Sequence, residues 1–285
     1  MADALLDPFR GGIGLRALLE VLVIAMACGP LGVWVLLFRQ SYAAESISHA
    51  MLPGLVVVTL LGAPLLLGAA AGVLVAAAAI GLASRNERVG PDVAVAVVIT
   101  ALFGLGAALA LSPAVPPRIG ELLFGDLLGV GTRDLLMTGA LAAGVAGGLV
   151  ARHRSLTLAA FDPAGAPALG VRPGRVAVGL LAGLGVTTVA AVGALGNLLV
   201  VALVLAPAAA ALNLAPRLGV ALPLAAVLTA AAGVAGLYVS YHLDLAAGAS
   251  VALCAIALFA LSLLRARPGE RGPAGRLPID ALGVR

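Results

Sequence analysis

Long apolar runs constrain this chain more than any other feature. Between Leu15 and Leu264 there are nine: Leu15–Phe38, Ser46–Leu61, Pro64–Ala83, Val93–Leu111, Leu135–Val150, Val176–Val192, Leu198–Leu212, Val220–Val239 and Ala249–Leu264. Each approaches the roughly 20 apolar residues that one helical crossing of a bilayer requires. Backbone polar groups in lipid must be satisfied within a helix or around a closed barrel. These runs far exceed the roughly 10 residues of a barrel strand, so they are read as helices. Composition agrees: of 285 residues, 62% are hydrophobic and 11% charged, against roughly 25% charged in a soluble domain. The expected fold is an all-α integral membrane protein, a polytopic helical bundle of eight or nine transmembrane helices. Nine follow if every run crosses, and eight if one is re-entrant. Breakers such as Gly62-Ala63-Pro64 and Gly193–Gly196 part neighbouring runs.

Residues 1–14 form a short N-terminal segment and 15–265 one membrane domain. Residues 266–285, rich in Arg, Gly and Pro, read as a flexible tail. Asp3, Asp7 and Pro8 do not suit a cleavable signal peptide. Alanine- and glycine-rich runs such as Ala69–Ala79 and Ala140–Gly148 are read as close-packing helix surfaces. With nine crossings and the N-terminus outside, thirteen of the seventeen arginines fall inside. Arg10, Arg16, Arg118 and Arg133 fall outside. The positive-inside rule favours this orientation and a cytoplasmic C-terminus.

All the basic residues are arginine. Without lysine the chain cannot supply a Walker A motif, so any ATP that drives it is bound by another polypeptide. The net charge of +4 comes from arginines at helix ends, which topology explains without a nucleic acid. Cys28 and Cys254 lie in separate apolar runs and read as small packing residues. Trp34 and the tyrosines are candidates for interfacial anchors. Asn197, Thr187 and Thr188 are candidates for hydrogen bonds between helices.

An ionisable residue inside a membrane segment is a functional candidate by default. The most informative stretch runs from Ser41 to Gly54. Glu45 and His49, four residues apart, share one face of a helix, and a carboxylate and an imidazole so arranged can ligate one divalent cation. A hydrated pair with a structural role at the mouth of a helix is the plainer alternative. Pro53-Gly54 follows and can bend the helix there. Asp126, His242 and Asp244, at or near span ends, are further candidate metal ligands, with plain hydration the alternative.

The stretch Ser46–Gly54, SISHAMLPG, resembles the signature of the ABC-3 permeases, the membrane subunits of zinc, manganese and iron ABC importers. Arg39 stands where that family has an arginine. Four more elements follow in the family's order. Leu123–Val130 resembles an LFGD element, and Phe161-Asp162-Pro163 through Leu169-Gly170-Val171 a cytoplasmic loop. Leu199–Ala210 resembles a PAA-containing span, and Tyr241–Ser250 an LDL segment. Glu45 takes the position of the family's aspartate and His49 that of its histidine. Ala44 replaces a common glycine, Ala164 a common glutamate, and Pro167 interrupts a run of small residues.

The resemblance implies a path formed by two permease copies, a homodimer, in the bacterial cytoplasmic (inner) membrane. It implies an extracytoplasmic metal-binding protein that delivers the ion, and cytoplasmic ABC ATPase subunits that dock on a coupling loop of about residues 155–173. Phe161, Asp162, Pro163, Leu169 and Gly170 would carry that contact. No cofactor is expected to be bound permanently; a zinc, manganese or iron ion would be cargo, meeting Glu45 and His49 transiently. The permease itself would be non-catalytic. A permease for a metal chelate such as a siderophore, and a proton-coupled secondary transporter using Glu45, are the rival readings. An intramembrane metalloenzyme fits less well, because H-E-x-x-H is absent and His49, His153 and His242 are dispersed.

Overall fold

The computed structural model describes residues 11–83, 91–111 and 125–265. The described residues contain ten α-helices: α1 Gly12–Leu37, α2 Ser41–Leu60, α3 Leu65–Ala83, α4 Pro91–Ala110, α5 Thr132–Ala151, α6 His153–Phe161, α7 Pro173–Leu195, α8 Asn197–Leu214, α9 Leu218–Leu243 and α10 Ala247–Arg265. Each of the nine apolar runs lies in one of the nine longer helices, to within a residue or two. Among the described residues, seven helices are long and apolar enough to cross a membrane. The apolar stretches Leu67–Ile80 of α3 and Leu199–Leu214 of α8 are shorter. Large aliphatic side chains such as Leu67, Leu74, Val97, Leu136 and Leu253 point outward, as lipid rather than water requires.

Several helix ends in the described residues close on themselves. After α1, Arg39 adopts φ 56°. The amide of Gln40 donates to Val35 O and that of Arg39 to Leu36 O, the paired bonds of a Schellman motif. The same pattern closes α2 around Gly62, φ 65°, where Gly62 N donates to Thr59 O and Ala63 N to Val58 O. Gly196, φ 77°, alone separates α7 from α8, so the sequence breaker Gly193–Gly196 narrows to one residue.

Helix α1 forms the centre. It packs on α5, α7, α8 and α9, and Val21, Cys28, Leu31, Val33, Trp34 and Val35 are fully enclosed. Trp34 is therefore a core residue, edge-on to His153 with ring centroids 5.6 Å apart, and not the interfacial anchor that its residue type suggests. Cys28 is buried, Cys254 is partly so, and both are free thiols. Thr187 donates back to Gly183 O within its own helix, at 2.9 Å, and so makes no bond between helices.

Lipid supplies little hydrophobic drive between helices, so close backbone contact through small residues must hold them. The glycines show where this happens. A Cβ on Gly32 of α1 would overlap Val204 O of α8, and one on Gly29 would come 2.5 Å from Ala226 N of α9. Helices α2 and α3 meet through Gly54, whose Cβ would overlap Gly68 O, and through Gly72, whose Cβ would lie 2.6 Å from Ala50 O. Helix α2 runs continuously through Pro53. Thus Gly54 serves a helix crossing and does not open the helix.

Gly54→Val should therefore lower stability by about 2 kcal/mol or more, the scale of an overpacked core. Gly139→Val, at a site with nothing within 4 Å, should leave it nearly unchanged. Thermal unfolding of the two purified variants in one detergent measures the difference.

Candidate transport site

The second helix carries the candidate pair and is held on three sides. It crosses α3 through the glycines above, meets α4 at Gly106, whose Cβ would lie 2.8 Å from Leu52, and packs on α7 through Met51, Leu55 and Val189. Its helical start at Ser41, five residues before the apolar run, brings Glu45 inside the helix. His49 Nε2 then lies 3.8 Å from Glu45 Oε1. That is too long for a hydrogen bond, and it approaches the spacing of two donors each about 2.1 Å from one cation.

The two side chains differ in surroundings. Glu45 is 59% exposed and His49 24%. The imidazole lies against the Phe103 ring of α4, with centroids 4.6 Å apart and planes tilted by 39°. Its Nδ1 is buried with no hydrogen-bond partner. A ligand histidine usually donates its second N–H to a fixed acceptor, which sets tautomer and basicity. Here the ring rests against an aromatic face instead. Tyr42, exposed, and Ser46, buried, lie one turn before Glu45 and His49 on α2. They border a mainly aliphatic groove of about 730 Å³ between α2, α3, α4 and α7.

No group of three or more His, Cys, Asp or Glu that could hold a metal ion occurs among the described residues. One chain thus brings a single carboxylate and a single imidazole together at this point, and Asp126, His242 and Asp244 do not join them. Asp126 is exposed in the segment before α5. Its amide donates to Gly193 O at 3.0 Å, and its Oδ1 accepts from Gly129 N at 2.9 Å. His242 ends α9, stacked parallel to Tyr238 and edge-on to Tyr241. Asp244 follows in the left-handed region, φ 51°. Leu123 and Phe124 of the LFGD element lie outside the described residues.

The segment read as a coupling loop is built from two short helical pieces. Helix α6 starts one residue after α5 and ends at Phe161. Asp162 then closes a turn, its Oδ1 accepting from Gly165 N and its carbonyl from Ala166 N. A 3₁₀ turn, Ala166–Leu169, follows, and Gly170, φ 77°, ends it. Pro167 sits at the start of this turn, where a missing N–H costs nothing; its departure from the family pattern is accommodated. Leu156, Ala159 and Ala166 face inward, whereas Phe161 and Leu169 are more than half exposed.

Sequence reasoning passed over Glu20. It is 1% exposed in the first span. Its carboxyl shares a hydrogen bond with Thr138 of α5, whose hydroxyl donates to Ala190 O of α7 at 3.1 Å. Glu20 Oε2 has no partner. The signal was present: a lone carboxylate five residues into an apolar run is itself unusual.

Comparison with known proteins gives a consistent result. A sequence profile described as the ABC 3 transport family matches residues 13–266. The manganese transport system membrane protein MntC of Halalkalibacterium halodurans is 36% identical over 248 residues, covering 87% of this chain and 85% of that protein. The chelated iron transport system membrane protein YfeD of Yersinia pestis is 29% identical over 258 residues, covering 90% and 87%. The solved structure of PsaBC from Streptococcus pneumoniae in complex with Fab superposes with a TM-score of 0.86 at 28% identity, covering 92% of this chain and 95% of that one.

Burial of Glu20 with one oxygen unpaired leads to a separate expectation. Glu20→Gln should keep the Thr138 bond and hold or raise the melting temperature, while Glu20→Ala, which cuts the tie and leaves a cavity, should lower it by several degrees. Equal losses in both variants, measured by thermal unfolding in detergent, would mean that the negative charge itself is required.

Proposed function

Because this chain belongs to the ABC 3 transport family, we propose that it is the permease subunit of an ATP-driven importer of a divalent transition metal ion, with Glu45 and His49 as its transient ligands. The observation that carries this reading is the carboxylate and imidazole 3.8 Å apart on α2, at the start of the stretch that resembles the family signature. Carboxylate and imidazole together suit manganese, iron and zinc. The names of the relatives favour manganese and iron among the three.

Two donors hold an ion weakly, and release is as necessary to transport as capture. A second copy of the chain, facing the first across the path, would bring another Glu45 and His49 and so make a four-donor site at the homodimer axis. The ion would arrive from an extracytoplasmic metal-binding protein. A cytoplasmic ATPase would hydrolyse ATP, and the permease itself would make and break no covalent bond. The exposed Phe161 and Leu169, displayed on either side of the Asp162–Pro163 turn, suit the ATPase contact. The arginine-rich segment that contains them and the C-terminus would then face the cytoplasm of a bacterial inner membrane, in line with the arginine distribution.

Glu45→Ala and His49→Ala should each cut accumulation of the transported metal at least tenfold. Whole cells expressing the permease with its ATPase and binding protein at matched membrane abundance, read by elemental mass spectrometry, give the answer. Uptake that survives both substitutions removes the pair from the path. Uptake only of a chelated ion, with both variants active, favours the siderophore-type alternative.

Phe161→Asp and Leu169→Asp should leave metal binding intact but abolish stimulation of the ATPase by the loaded binding protein. Phosphate release from reconstituted complexes is the measurement. Undiminished stimulation would move the coupling contact elsewhere.

A further inference from the structure

A separate crevice of about 440 Å³ runs between α1, α5, α6 and α7. Its walls are the small-residue edges of two helices, Gly144 and Gly148 of α5 and Gly179 and Gly183 of α7. Facing glycines in a membrane ordinarily mark backbones in contact. Here they mark a gap. A Cβ on Gly144 or Gly148 would meet nothing within 4 Å, and one on Gly183 would reach only Leu31 Cδ1 at 3.9 Å and Val145 Cγ1 at 4.0 Å. Leu31 and Leu180 are buried beneath it, while Gly144, Gly148 and Gly179 are exposed at its rim. The crevice is therefore an aliphatic slot open at the side of the bundle.

Such a slot lacks the polar partners that hold water, and left empty it would forfeit the dispersion contacts of its lining. In a bilayer the adjacent filler is an acyl chain. The slot also has a charged end. Arg152 lines it, with Nη1 3.7 Å from the Cβ position of Gly179, and no carboxylate pairs with Arg152 among the described residues. Arg154, Arg172 and Arg175 lie in the same segment, and the one acid between residues 150 and 180, Asp162, is engaged with Gly165 N. An apolar slot that ends in an unpaired guanidinium complements a phosphate head carrying a long tail, and the excess positive charge selects a head with net negative charge.

We infer that this slot binds an anionic phospholipid from the leaflet on the arginine-rich side, with one acyl chain along the glycine walls and its phosphate on Arg152. The inference does not depend on the identity of the cargo. The lipid would fill the space between α5 and α7 at the point where α5 gives way to α6.

The test uses the full-length chain in nanodiscs of equal phosphatidylglycerol and phosphatidylethanolamine with matched acyl chains, released for native mass spectrometry. Wild type should retain phosphatidylglycerol over phosphatidylethanolamine by about tenfold, the worth of one charge-assisted contact. Arg152→Gln should abolish that preference. Gly148→Leu, which fills the slot, should remove one retained lipid, and Gly139→Leu, outside the slot, should remove none. Absence of a preference in wild type, or an undiminished preference in Arg152→Gln, overturns the proposal. Arg152→Gln changes an exposed side chain, so the result stands even if Gly148→Leu does not fold.

Discussion

The backbone contact of helices at glycine sets everything else in this molecule. In water, burying leucine would hold such a bundle together; in lipid, leucine gains little by leaving one hydrocarbon for another. Cohesion then rests on how closely the helix axes approach. Gly29 and Gly32 set that approach for α1 against α9 and α8, and Gly54, Gly68 and Gly72 set it for α2 against α3. The first group builds the central body around α1. The second holds α2 in a smaller cluster with α3 and α4 that leans on α7. The candidate pair is carried by the smaller cluster, one turn before its tightest crossing.

For the transport site proposed above, that arrangement would reconcile two demands. The donors need a defined separation, which a rigid helix supplies through the four-residue spacing of Glu45 and His49. They must also avoid a deep well. The imidazole rests on Phe103 without an acceptor for Nδ1, and the carboxylate stays largely exposed. Rigidity thus comes from α2 and its neighbours, while the immediate surroundings of the pair stay sparse.

Much of this was legible in the sequence, and what was not has physical reasons. Apolar runs located the nine long helices because each must satisfy its own backbone. Hydropathy misjudged the start of α2, since Ser41 to Glu45 are polar yet helical, and the structure extends the helix over them. The spacing of Glu45 and His49 was readable because helical geometry is local. Phe103 and Gly106 were not, since their part depends on where α4 packs. Trp34 misled because residue type predicts an interface while its place on the buried face of α1, edge-on to His153 at the start of α6, makes it core. Glu20 was readable but was averaged away in the hydropathy of a long run, and its partner on α5 could come only from the fold. Asp162 illustrates the intermediate case, for its turn follows from the residue type, while the outward display of Phe161 and Leu169 needed the surrounding helices.

The single residue between α5 and α6 has a mechanical consequence. Only Arg152 separates the two helices, and α6, nine residues long, projects about 13 Å at the ordinary helical rise. A helix so joined is a crank and not a tether: a force on its far end becomes a torque on α5, with almost no slack to absorb it. Because α5 is bonded through Thr138 to α7 and to Glu20 of α1, rotation of the crank would load the central helix directly. Inserting flexible residues after Arg152 would remove that stiffness while leaving each helix intact.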